Sequence, residues 1–238
     1  MSYHLKIAEN ASEIKLAQAF RGRIFRNNCK IADADEFDNK CLHFLIFDKS
    51  NANKLVAVFR VMIVKSFNDI DRCYSNQFYK LNNLRLITKP MLELGRFCVD
   101  PNYKDPAIIF TAWGALRKLV EQHDIHFLFG CSSFLGTKTE KYLDSFKLLN
   151  KKYLAPKKLI PYVKAPCVFK FSKLIDFNNF CITSAKKSLP PLLTAYLNLG
   201  GWVSDHAVID YDLGTLHVFT GLNIDTIPRK RIQFLKSL

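Results

Sequence analysis

From Leu92 to Phe134 the chain reads as an apolar strand, an apolar helix and a second apolar strand, and no other stretch restricts its fold as much. The first strand, Leu92-Glu93-Leu94-Gly95-Arg96-Phe97-Cys98-Val99, stops at Asp100-Pro101; Ala107 to His123 has helical length and composition; Phe127 to Phe134 is β-rich again. Two strands joined through a helix take a parallel, right-handed crossover as their natural topology. Further β-rich runs, Tyr3 to Ala8, His43 to Asp48 and Lys54 to Val64, come before this unit. After it come a helix (Leu192 to Leu199), a Gly200-Gly201 stop, and two runs, Trp202 to Asp210 and Thr215 to Leu222, expected to pair antiparallel. The expectation is one α/β domain over residues 1–238, with a mixed central sheet flanked by helices and a basic helical insertion at 137–190.

Asn10-x-x-Glu13 is a capping-box pattern that opens a helix predicted to reach about Asn27. On a 3.6-residue wheel Ile14, Ala17, Phe20, Ile24 and Phe25 share one arc, and Arg21 falls inside it. A guanidinium on an apolar face either snorkels past the core edge or meets a carboxylate. Arg60 poses the same question, because it interrupts the apolar run Leu55 to Val64.

Four acids crowd into the six residues from Asp33 to Asp38. Asp35 and Asp38 share a side in a turn or short helix and point apart in a strand. Two carboxylates on one side suit an ammonium group; a solvated turn is the alternative. Glu93 and Arg96 point to opposite faces in regular pleating, and Gly95 between them permits a bulge that changes this. Residues 66–90 form a long polar and aromatic excursion with a short helix or two, of a length often used as a lid.

Composition excludes several classes. No apolar run reaches the roughly 18 residues of a membrane span, and Lys6, Glu9, Glu13 and Lys15 fall where a secretory signal needs an apolar core. The expected location is the cytoplasm. The seven cysteines contain no C-x-x-C pair and mostly lie in apolar runs, which predicts buried, reduced thiols. His123 and His126 lack the companions of a zinc pattern, so no metal is expected.

Lysines and arginines outnumber acids 35 to 21, and residues 137–190 alone hold twelve lysines against three acids. Such a surface is either simply solvated or a docking face for an acidic partner. The lysines come in scattered pairs with no base-reading motif beside them, which argues against nucleic acid. An acidic protein or an anionic membrane fits as well.

The ordered set Arg21-x-x-x-Phe25, Asp35-x-x-Asp38, Arg60 and Glu93-x-x-Arg96-Phe97 lies within the segments RGRIF, DEFDNKCLHFLIFD, YSNQFYKL, LELGRFCVDPNY, FLFGCSSFLG and PPLLTAYLNLGGWVSDHAVIDYDLGT. Together they resemble the branch of the GNAT acyltransferase superfamily that uses acyl carrier protein. That branch holds the acyl-homoserine-lactone synthases and the bacterial ornithine-lipid N-acyltransferases, and the latter are the nearer match.

The resemblance implies transfer of a 3-hydroxyacyl type of fatty acyl group from acyl carrier protein to the α-amino group of ornithine, giving lyso-ornithine lipid. No cofactor is held permanently, since the carrier's phosphopantetheine arm brings the acyl group. Glu93 is implied as the base beside Arg96. Asp35 and Asp38 hold the acceptor's cationic groups, and Arg21, Arg60 or Arg96 its carboxylate, with Phe25 lining the same site. Phe97, Cys98 and Val99 together with Cys131, Ser132 and Ser133 border the phosphopantetheine arm. A ping-pong role for Cys98 is disfavoured because no histidine neighbours it. Lysines of 137–190 face the carrier, and Phe, Leu and Lys interleaved from Tyr153 to Phe180 suggest peripheral contact with an anionic membrane. The alternatives are another amino-acid acceptor, homoserine-lactone synthesis, and a non-enzymatic basic module binding nucleic acid or anionic lipid.

Overall fold

The computed structural model of the chain describes residues 2–26, 30–174, 179–228 and 231. In chain order its elements are β1 (Tyr3–Ile7), α1 (Ala11–Phe25), β2 (Leu42–Asp48), β3 (Lys54–Val64), β4 (Tyr79–Lys80), β5 (Met91–Val99), α2 (Ala107–His123), β6 (Phe127–Leu135), α3 (Leu143–Lys152), β7 (Tyr162–Val163), β8 (Val168–Phe169), α4 (Ile182–Ser188), α5 (Pro191–Asn198), β9 (Trp202–Asp210) and β10 (Thr215–Asn223). They form two compact units, one from the described parts of 2–64 and 90–125, the other from those of 65–89 and 126–228. The α/β class expected from the sequence is the one observed.

In the first unit the strands run β1-β2-β3-β5, each pair antiparallel. α1 starts where the Asn10 side chain accepts from the Glu13 amide at 3.1 Å, while the Glu13 carboxylate accepts from the Glu9 amide at 2.8 Å. Such a cap contributes about 1 kcal/mol. The helix is described to Phe25, so the predicted end near Asn27 lies outside the described residues. Ala17 and Phe20 pack on Leu45, Val58 and Cys98, which holds α1 against β2, β3 and β5. α2 buries Ile108, Ala112, Trp113, Leu116 and Leu119 at helical spacing, packs on β1 and β2, and ends at Asp124 in the left-handed region (φ 49°).

The β3–β5 ladder carries the bulge that the site depends on. Arg60 faces Gly95 and Val58 faces Cys98, so Arg96 and Phe97 share the single place opposite Phe59. The residue with positive φ is Arg96 (52°), not Gly95, which corrects the expectation that glycine supplies the irregularity. Cross-strand partners share a face, so Glu93, opposite Met62, lies on the side of Arg60. Phe97 turns the other way and stacks on Phe59 at 5.6 Å.

In the second unit β6, β10, β9 and β8 are neighbours in that order, with antiparallel pairing throughout. One face of this group packs Phe134, Val203, Ala207, Leu216 and Val218 against Tyr142, Phe146, Leu149 and Phe171 and against Leu193 and Leu197 of α5. The described residues of 137–190 send these apolar side chains inward and most of their lysines outward, and they add the short strands β7 and β8 to the expected helices. The excursion at 66–90 holds three 3-10 turns and β4. Gly200 takes φ +100° at the end of α5, as the glycine pair predicts.

Candidate active site

Arg21, on the buried face of α1, is 1% exposed and reaches carboxylates rather than solvent. Its Nη1 and Nη2 donate to Asp38 Oδ1 and Oδ2 at 2.9 and 2.6 Å, its Nε donates to the Asp33 carbonyl at 3.0 Å, and its Nη2 also donates to that carbonyl. Arg60 lies between β2 and β5 and is 2% exposed. Its Nη1 donates to Asp38 Oδ1 at 2.5 Å and to Asp35 Oδ1, and its Nη2 donates to Asp35 Oδ2 at 2.9 Å. Arg96 is turned by the bulge to donate from Nε to Asp33 Oδ2 and from Nη2 to Asp35 Oδ2, both at 2.9 Å.

Arg21, Arg60 and Arg96 thus interlock with Asp33, Asp35 and Asp38, and the charges within these six residues balance. Gln18 adds a hydrogen bond from Nε2 to Asp38 Oδ2 at 2.8 Å. Burial works to raise the Asp38 pKa, but the Arg21 guanidinium, with Gln18 and Arg60, outweighs it and holds the carboxyl well below the usual range. Burial lowers the Arg60 pKa, and the Asp35 carboxylate more than restores it. His43, 2% exposed on β2, has Nε2 3.0 Å from the Asp38 carbonyl, and burial shifts it toward the neutral form despite the Asp38 charge. A neutral ring there carries its proton on Nε2.

Glu93 is 5% exposed and close enough to influence Cys41. Burial pushes the Cys41 thiol up to about 12; the Arg60 charge opposes this, and Glu93, Asp38 and Asp35 add to it. The structure therefore places Glu93 beside the ionic cluster on one face of β3 and β5. Asp35 differs from its fellow aspartates in exposure, with a side chain 20% accessible against 1% for Asp33 and 3% for Asp38. Phe25 packs against the cluster of Ala17, Phe20, Leu45, Val58 and Cys98. Cys98 is buried in that cluster and burial pushes its thiol up, which leaves it a poor nucleophile. Val99 is half-buried opposite Ala57.

In the second unit Cys131 Sγ lies 3.5 Å from Ser75 Oγ, buried Ser132 accepts from Thr220 Oγ1 at 2.9 Å, and Ser133 is exposed. The expectation of mostly buried cysteines needs correction. Among the described residues Cys73 and Cys98 are buried, Cys41 and Cys131 half-buried, and Cys167 and Cys181 exposed. No group of three or more His, Cys, Asp or Glu among the described residues is arranged to hold a metal.

Sequence reasoning missed Asp33 as a member of the cluster, although its two-residue spacing from Asp35 was a signal. It also missed His43 and a buried polar group in the second unit. There Tyr79 donates to the His217 carbonyl at 2.9 Å, and its ring lies 5.2 Å from that of His206. An irregularity in β9 sets Ser204, Asp205 and His206 opposite Phe219 alone, and the Ser204 hydroxyl replaces the lost ladder bond by accepting from the Phe219 amide at 3.1 Å.

Residues 18–114, which hold every member of the ionic cluster, match the family model described as an acetyltransferase (GNAT) domain. The chain is 29% identical over 248 residues to the L-ornithine N(alpha)-acyltransferase of Rhodobacter capsulatus, covering 98% of this chain and 95% of that protein. It is also 29% identical over 251 residues to the protein of the same name from Brucella abortus, covering 98% and 88%. Among solved structures, a coenzyme-A-dependent acyl-homoserine lactone synthase aligns at 10% identity with a TM-score of 0.49, over 99% of this chain and 88% of that one. The mixed sheet flanked by helices is GNAT-like, and the match to the GNAT domain covers residues 18–114. The chain is an acyltransferase, and the segment that matches the GNAT domain carries the buried arginine–aspartate cluster.

Proposed function

We propose that this enzyme transfers a fatty acyl group, of the 3-hydroxyacyl kind, from the phosphopantetheine thioester of acyl carrier protein to the α-amino group of ornithine, giving lyso-ornithine lipid. The observation that carries this is the near full-length similarity to proteins named L-ornithine N(alpha)-acyltransferase, which covers 98% of this chain and 95% of the Rhodobacter relative. A single acyltransferase domain over 1–238, working on the cytoplasmic side of the membrane, is part of the proposal.

The side chains divide the work according to exposure. Arg21, Arg60 and Asp38 are occupied with one another and fix the scaffold. Asp35, partly exposed, attracts the side-chain ammonium of ornithine, and Arg96 its carboxylate, with Phe25 backing the α1 wall. Glu93 takes a proton from the α-amine, directly or through a water. The neutral amine attacks the thioester carbon; the C–N bond forms, the C–S bond breaks, and the carrier thiol leaves with a proton. Backbone N–H groups near the bulge stabilise the oxyanion. Phe97, Cys98 and Val99 on β5 border the phosphopantetheine arm.

The carrier docks through exposed lysines of α3 and α4, chiefly Lys151, Lys152, Lys186 and Lys187. These helices pack on each other, and Ser145 donates to the Ala185 carbonyl at 2.8 Å. A basic platform steers an acidic partner and loses that steering in salt. The test is mass spectrometry of purified protein incubated with 3-hydroxyacyl carrier protein and a pool of amino acids, with release of the carrier thiol followed in parallel. Acyl-ornithine is expected. A different acylated amine overturns the acceptor, and folded protein that yields neither product nor free thiol overturns the whole proposal.

A further inference from the structure

We infer that the β4–β7 ladder and the segments 80–89 and 156–164 around it form a docking surface for an anionic phospholipid bilayer. The ladder pairs Tyr79 with Val163 and Lys80 with Tyr162. Asn83 Nδ2 donates to the Ile160 carbonyl at 2.7 Å, and the Ala165 amide donates to the Phe78 carbonyl at 2.9 Å, so the two segments are tied into one element. Its inner side is anchored by Tyr79, fully buried with its hydroxyl on the His217 carbonyl.

Alternation along the ladder then decides what faces outward. Lys80 and Tyr162 are cross-strand partners and both exposed, Tyr162 at 57%, and Leu86 stands out at 63%. The two segments contain Lys80, Arg85, Lys89, Lys157, Lys158 and Lys164 and no acid. Single exposed apolar residues are ordinary on a soluble protein. An exposed leucine and tyrosine on one acid-free, six-cation element are the composition of an interfacial anchor, in which tyrosine sits at headgroup depth and leucine below it.

Charge complementarity favours a bilayer over a folded acidic protein as the occupant. Six cations with no interspersed acid give no register for matching a patterned surface, but each gains near a uniformly negative leaflet, within a Debye length of ~10 Å at 0.1 M salt. The surface shares no residue with the ionic cluster or with the lysines of α3 and α4. The inference concerns where the enzyme works and requires neither the proposed acceptor nor the proposed donor.

The experiment is co-sedimentation of the full chain with vesicles of phosphatidylcholine, with and without phosphatidylglycerol, at low and high salt, alongside turnover on soluble components without vesicles. Binding to phosphatidylglycerol vesicles alone, lost at high salt, is expected. The double substitution Lys80→Glu and Arg85→Glu should weaken it about tenfold or more. Leu86→Ser with Tyr162→Ser should weaken it several-fold, and both variants should keep wild-type turnover and melting temperature. No retention of the wild type at low salt, or variants that bind like it, overturns the proposal. So does a raised KM for the carrier protein with vesicle binding unchanged, which makes this a protein-docking face. If the enzyme makes no acyl-ornithine yet binds vesicles as described, the reaction is wrong and this surface stands.

Discussion

Arg21 and Asp38, seventeen residues apart in sequence, meet side by side through two hydrogen bonds of 2.9 and 2.6 Å, with both side chains almost completely buried. Since Asp38 also accepts from Arg60 and Gln18, one carboxylate ties α1 to β3 and to the turn that carries it. A buried pair of this kind adds little net stability against an apolar replacement, because both charges were taken out of water, but breaking it on one side is costly.

Asp38→Asn should therefore destabilise the fold by about 3–5 kcal/mol, since it removes the carboxylate that two buried guanidinium groups share. Combining Arg21→Met with Asp38→Leu should cost less than the sum of the single substitutions. Urea denaturation of the four proteins checks this, and strict additivity would show that the pair is not coupled.

Gly22 sets how closely the aspartate segment approaches α1. A Cβ built there lies 1.7 Å from the Ile31 carbonyl oxygen and 2.9 Å from its carbon, both backbone atoms. Two residues on, the Asp33 amide donates to the Gln18 carbonyl at 3.0 Å, so the segment has little freedom to retreat. Gly22→Ala should cost about 3 kcal/mol and lower turnover by displacing Asp33 and Asp35. A melting curve and a turnover rate both unchanged from wild type would refute this close approach.

Acid should weaken the protein in two stages. His43 is shifted down by burial, so the unfolded chain takes up a proton first. Its contribution is complete above the unfolded value of about 6.5 and falls away as pH drops below that. Asp38 is also held below its ordinary value, so its contribution persists down to about pH 4 and is lost as pH falls further. Melting temperature against pH should show both stages. His43→Gln, whose amide still donates to the Asp38 carbonyl, should remove only the first; an unchanged slope between pH 7 and 5 would assign that stage elsewhere.

Asp35 and Asp38 should separate binding from stability. Asp35 is the more exposed of the two, and its partners Arg60 and Arg96 each have a second carboxylate. Asp35→Asn should thus raise the KM for the amine at least tenfold while costing less stability than Asp38→Asn. Steady-state kinetics with ornithine varied decides this, and an unchanged KM removes Asp35 from the acceptor site.

Much of this was legible from local pattern. The Asp-Pro stop delimited the end of β5, helical length and composition marked α2, and the run broken by Arg60 marked β3. Arg21 on an apolar arc called for either an exit to solvent or a carboxylate, and the structure supplies the carboxylate. What escaped notice depends on contacts distant in sequence. Arg96 adopts φ 52° beside an available glycine because Asp33 and Asp35, more than sixty residues earlier, hold its guanidinium. The two-residue strands β7 and β8 are too short to show any periodicity, and their pairing partners alone define them.

Glu93 offers the sharpest test of the proposed chemistry. It lies on the Arg60 face of β5, beside the cluster of arginines and aspartates. A group with only a structural charge role would announce itself in stability when neutralised. A base would announce itself in rate. Glu93→Gln keeps the shape and a hydrogen-bonding side chain but removes the proton acceptor, which typically costs 10²–10⁴-fold, roughly, in the chemical step. The expected result is acyl transfer lowered by about that factor, with carrier binding and melting temperature near wild type. A large loss of stability with turnover preserved would instead make Glu93 an ion-pair partner of the cluster and move the search for the base elsewhere on this face.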